Sequence, residues 1–119
     1  MFSFLKSGIG SLNMRRIGEH YAVMGQIAPA QIPSIAQAGF KSILCARPDG
    51  EDHGQPKFDE IAAAAKAAGI EIVHIPVSGM LGEGQIIRFH EAWEKMPKPM
   101  LAYCRSGGRA SALYQTLSR

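Results

Sequence analysis

Three short apolar runs, "KSILC" at 41–45, "IEIVHIPV" at 70–77 and "MLAYC" at 100–104, are each followed by a loop and then by a helix-forming stretch. This recurrence constrains the fold more than any other feature. Short β-branched or apolar runs read as buried strands, and helical segments between them read as crossovers that set neighbouring strands parallel. A further short strand, "YAV" at 21–23, precedes them. "PAQIPSIAQAGF" puts Ile32, Ile35 and Ala36 on one helical face, with Gly39 just past its end. "FDEIAAAAKAAGI" is a strong helix former stopped by Gly69. "QIIRFHEAWEKM" carries Ile86, Phe89 and Trp93 on one side and ends before Pro97 and Pro99, and "GRASALYQTLS" is the last helix. The expectation is an α/β fold: a central, mostly parallel sheet of four to five strands flanked by helices of roughly 10 to 14 residues.

A chain of 119 residues supports one domain. We expect residues 1–13 to form an N-terminal arm and residues 14–119 a single domain. The arm's apolar patch is broken by Lys6, Ser7 and Gly8, too short for a signal-peptide core or a membrane span. The cytoplasm is therefore the expected location. The net charge is +3, but the basic residues are scattered, with no block larger than Arg15-Arg16, which argues against a nucleic-acid partner. Two cysteines make no disulfide scaffold and fit a reducing compartment.

One of those cysteines opens the stretch "CRSGGR", residues 104–109, at the end of the last strand. In open α/β sheets, ligands gather at the carboxyl ends of strands. The loops at 46–57, 78–84 and 104–108 all belong to that rim. A tight strand-to-helix turn directs backbone N–H groups inward as a nest for an anion, and the helix N-terminus adds partial positive charge. Gly107 and Gly108 relieve the clashes of such a curled backbone. A thiol placed there is held as thiolate, and a guanidinium grips two oxygens of a tetrahedral anion. Cys104 and Arg109 are thus the candidate catalytic pair, and Arg105, Ser106, Gly107 and Gly108 the candidate anion-binding residues. Cys45, Arg47, Asp49 and Ser111 are candidate accessory residues. His74 reads as a core or hydrogen-bonded histidine rather than a base. His20, His53 and His90 have no ligand-like spacing, so no metal and no cofactor are expected.

"CRSGGR" resembles the active-site loops of cysteine-dependent phosphatases, which have five residues between Cys and Arg, and of rhodanese-type sulfurtransferases, often one residue shorter. More widely, "AVMGQIAPAQIPSIAQAGFKSILCARPDGEDHGQP", "AAGIEIVHIPV" and "LAYCRSGGRAS" resemble a bacterial family of small domains with the protein tyrosine/dual-specificity phosphatase fold. Members are sometimes described as sulfurtransferases. They also occur fused to a metallo-β-lactamase-fold hydrolase in β-lactamase hydrolase-like proteins. The resemblance spans about residues 14–117 and implies that fold. "ILCA" further resembles the segment that carries a resolving cysteine in lipid-phosphatase relatives, which would give Cys45 that role.

Four residues separate Cys104 from Arg109, which suggests a contracted ring better fitted to the outer sulfur of a persulfide than to phosphate. "PVSGMLGEG", where the phosphatases carry a proton-donating aspartate, holds only Glu83, and Asp49 would have to substitute from a neighbouring loop. Both features favour sulfur transfer. The expectation is that Cys104 takes sulfur from thiosulfate or a persulfide and passes it to a thiol acceptor, with a metallo-β-lactamase-fold persulfide dioxygenase as partner. The alternative is a phosphatase that acts on a phosphoester through a phosphocysteine. A second alternative is a non-catalytic anion-binding or partner domain. Ser or Thr often follows the arginine in both groups. Here Ala110 stands there, leaving Ser106 or Ser111 to supply a hydroxyl.

Overall fold

The structure is a computed structural model that describes residues 12–118. Five strands, β1 (Arg15–Gly18), β2 (Tyr21–Met24), β3 (Ser42–Cys45), β4 (Glu71–His74) and β5 (Met100–Tyr103), form one sheet in the order β1-β2-β5-β3-β4. β2, β5, β3 and β4 run parallel, and β1 is an antiparallel edge strand. The helices are α1 (Ile32–Gln37), α2 (Phe58–Ala67), α3 (Glu83–Lys95) and α4 (Gly108–Gln115), with single 3-10 turns at Pro29–Gln31 and Thr116–Ser118. The α/β class and the mostly parallel sheet agree with the sequence pattern. The expected helix lengths need correction, because α1 has 6 residues and α4 has 8. β1 had no apolar signature: it reads "RRIG", exposed to half-buried, since an edge strand needs only one packed flank.

Period-two alternation splits the core between the sheet's two faces. Ala22, Met24, Ile43, Cys45, Leu101 and Tyr103 pack on one face with Ile32, Ile35, Ile61 and Ala65 from α1 and α2. Tyr21, Val23, Leu44, Met100, Ala102 and Cys104 pack on the other with Phe89 of α3 and Ala110 and Leu113 of α4. Burying each large aliphatic or aromatic side chain contributes about 1.5–3 kcal/mol. Leu12, which the sequence assigned to the arm, joins the first core and is 8% exposed. Residues 1–11 of the arm lie outside the described residues, as does Arg119. Among the described residues no helix is long and apolar enough to cross a membrane.

Candidate active site

β5 ends at Tyr103 and α4 begins at Gly108, so residues 104–107 turn the chain from strand to helix. The Cys104 amide donates to the Met24 carbonyl at 3.3 Å, anchoring the turn on β2. Gly25, next along from β2, sits against the turn. A Cβ there would meet the Arg105 carbonyl at 2.8 Å. Gly107 adopts φ +98°, a left-handed conformation that favours glycine. That rotation aims its N–H at the Cys104 sulfur, 3.0 Å away. On the far side, the buried Tyr21 hydroxyl donates to the Ala110 carbonyl at 2.9 Å, fixing the first turn of α4 to the sheet.

The Cys104 thiol is 1% exposed. Burial by itself pushes such a thiol up. Here the amides of Ala110, Ser106, Gly107 and Arg109 face the sulfur and outweigh burial, so the pKa falls below the ordinary thiol value. Cys45 shows the contrast. It is equally buried, and burial pushes its pKa up. Its Sγ donates to the Arg47 carbonyl at 3.3 Å. Both cysteines are free thiols, and they pack on opposite faces of the sheet.

Arg109 is held from two sides. Nη1 and Nη2 grip the Glu51 carboxylate at 2.5 and 2.8 Å, and Nη1 also donates to the Val77 carbonyl at 2.7 Å. Of the five N–H donors on a guanidinium, this leaves two for a ligand. Glu51 Oε1 also accepts from Arg47 Nε at 2.9 Å. Arg47 is 3% exposed and completes its bonding with Gln26 Oε1 at 2.9 Å and Asp52 Oδ2 at 2.7 Å. The loops after β3, β4 and β5 therefore meet at one rim, as the strand directions predicted. Glu51, absent from the sequence-derived candidates, is what joins two of them.

Its two arginine partners lower the Glu51 pKa to about 2, with Arg109 the larger influence. A depressed carboxylate adds stability that is fully present above its unfolded pKa and is lost as pH falls through the folded value. Here that window runs from about 4.5 down to about 2. Thermal unfolding followed at pH 3 and pH 6 is expected to show a drop in Tm at pH 3 that Glu51→Gln makes smaller. An equal drop in both proteins would contradict this role.

The remaining candidates fall in different places. Asp49 Oδ1 accepts from the Phe58 amide at 2.8 Å at the start of α2, which is helix-starting work. Glu83 is the exposed first residue of α3. The Arg105 side chain is 66% exposed and lies 3.4 Å from Asp52 Oδ2, turned away from the sulfur. Ser106 offers its amide to the sulfur, and Gly108 opens α4. The Ser111 hydroxyl accepts from Arg15 at 3.5 Å and not from the cysteine loop. His74 Nε2 donates to the Arg47 carbonyl at 2.9 Å, the hydrogen-bonded role its sequence context implied.

Residues 13–118 match the family described as the phosphatase-like domain of beta-lactamase hydrolase-like protein. This chain belongs to that family. It is 43% identical over 100 residues to a beta-lactamase hydrolase-like protein of Agrobacterium fabrum, covering 83% of this chain and 23% of the relative. The chain thus spans about a quarter of the length of that relative. A candidate phosphatase from Neisseria meningitidis is 34% identical, with TM-score 0.77, over 84% of this chain and 72% of that one. The core catalytic domain of a PP-IP phosphatase from S. cerevisiae shares the fold at 20% identity, with TM-score 0.61, over 80% and 57% of the two chains. The fold is protein tyrosine/dual-specificity phosphatase-like.

The phosphatase-like family and the Neisseria neighbour overturn the expectation of a rhodanese-type sulfurtransferase. The physical reason lies in the loop. Four intervening residues were read as a contracted ring, yet the left-handed turn at Gly107 brings four amides around the sulfur all the same. Loop length alone does not separate phosphorus from sulfur.

Proposed function

We propose that this domain is a cysteine-dependent phosphatase. The Cys104 thiolate attacks phosphorus and displaces the leaving oxygen. The amides of the 104–110 turn and the two free N–H groups of Arg109 hold the non-bridging oxygens, where charge develops. Water then hydrolyses the phosphocysteine. The observation that carries this reading is the lowered Cys104 thiol under four converging amides, beside a charged Arg109 fixed by Glu51. Mixing the protein with an aryl phosphate and quenching in acid is expected to leave a phosphoryl group on the Cys104 peptide by mass spectrometry, and none in Cys104→Ala. Phosphate release that persists in Cys104→Ala would overturn the proposal.

The Agrobacterium relative is about four times longer than the region it shares with this chain, and its name refers to a hydrolase. This supports a metallo-β-lactamase-fold hydrolase as the unit the domain works beside, on the same chain or as a partner.

A further inference from the structure

An oxygen leaving phosphorus needs a proton unless it is stable as an anion, so the available acids restrict the substrate. Val77 contacts Arg109, which sets the loop after β4 over the catalytic turn. From Ser78 to Gly82 that loop has no carboxylate. The facing loop has three, and each is engaged as an acceptor. Glu51 binds Arg109 and Arg47, Asp52 binds Arg47 and lies beside Arg105, and Asp49 accepts from the Phe58 amide. Glu51, gripped by two guanidiniums, has no proton to donate, and Asp52 and Asp49 are each already committed to a donor of the chain itself.

A second observation concerns the other flank of the turn. A cavity of about 410 Å³ adjoins it, lined among others by Asn13, Arg15, Val23, Arg105 and Ser106. β1 runs antiparallel to β2, with Arg15 opposite Val23, so the start of β1 shares the rim with the catalytic turn. Two arginines therefore border a polar cavity beside the cysteine loop.

We propose that the substrate is a phosphoanhydride, a terminal phosphoryl group joined through oxygen to a second phosphate, with Arg15 receiving that second phosphate. This rests on the phosphocysteine reading above. Cys104 Sγ forms the S–P bond as the bridging P–O bond breaks. The electron pair stays on the departing oxygen, which leaves as part of a phosphate anion and needs no enzyme acid. Water then forms the new P–O bond, the S–P bond breaks to return the thiolate, and the water's proton passes to the phosphate product.

The test compares kcat/KM for a nucleoside diphosphate, a series of aryl phosphates of graded leaving-group pKa, and an alkyl phosphate, using the full chain. Expected are a steep decline along the aryl series and an anhydride rate roughly 10²- to 10⁴-fold above the alkyl rate, the usual contribution of a missing general acid. Arg15→Ala is expected to lower the anhydride-to-aryl ratio about fivefold, the scale of one exposed charge pair. Comparable rates on the alkyl phosphate and the anhydride would overturn the inference. So would an alkaline limb in the pH profile, the mark of a proton donor, that vanishes in His53→Gln, since His53 is exposed on the same loop as Glu51. Turnover of aryl phosphate through Cys104 without cleavage of the anhydride sinks this inference alone. No turnover of any substrate sinks the phosphatase reading with it.

Discussion

Serine in place of Cys104 is expected to lower kcat/KM for an aryl phosphate by roughly 10⁴- to 10⁶-fold, the scale of losing a covalent nucleophile. The reason is the acidity of the attacking group. Four amides and the positive end of α4 stabilise one negative charge at the sulfur position. That suffices to favour the anion of a thiol, and falls far short for an alcohol. The fold should hardly notice, because the hydroxyl still accepts from the Gly107 amide and fills nearly the same space. Circular dichroism melting is expected to shift by no more than about 5 °C. A variant that melts normally and retains more than about a hundredth of the rate would remove Cys104 from the reaction.

Much of the fold was legible because its signals are local. β3 and β5 are uniformly buried apolar runs, and each has an amphipathic helix beside it in the chain. β1 was not legible, since its pairing to β2 is written in the partner strand and not in "RRIG" itself. Within the candidate site, Cys104 and Arg109 were singled out by their spacing to two glycines, and the fold sets both at the turn that follows β5. Arg105 was expected among the anion-binding residues of the loop, but successive residues in a tight turn point in different directions, and its side chain lies exposed beside Asp52. Glu51 was hidden inside "RPDGEDHGQP", which reads as a polar turn. The available signal was charge balance: three acids in one loop at the carboxyl end of a strand, facing a cysteine loop with two arginines. The sulfur expectation failed for a related reason. A residue count fixes contour length, whereas the cradle's size depends on the φ of Gly107, and that is a property of the folded turn.

The second large effect is expected at Glu51, which touches no reacting atom and acts through Arg109. Glu51→Ala should reduce kcat on an aryl phosphate about 10²- to 10³-fold, comparable to losing one preorganised donor to the transition state. Without the bidentate carboxylate, the guanidinium keeps only its bond to the Val77 carbonyl and is free to swing from the sulfur. Arg47 is left with Asp52 and Gln26, so the buried charge is not stranded, and the stability cost should be about 1–2 kcal/mol. Two readouts separate positioning from general damage. Glu51→Gln keeps one acceptor and should recover part of kcat, with KM changed little throughout. Arg109→Ala should abolish the effect of Glu51→Ala when the two are combined, because residues that act as a unit are strongly non-additive. If the losses multiply instead, Glu51 acts on the reaction by a route other than Arg109. The same carboxylate that orients the arginine is thereby kept ionised, so the device that fixes the anion grip also withholds a proton donor from the leaving group.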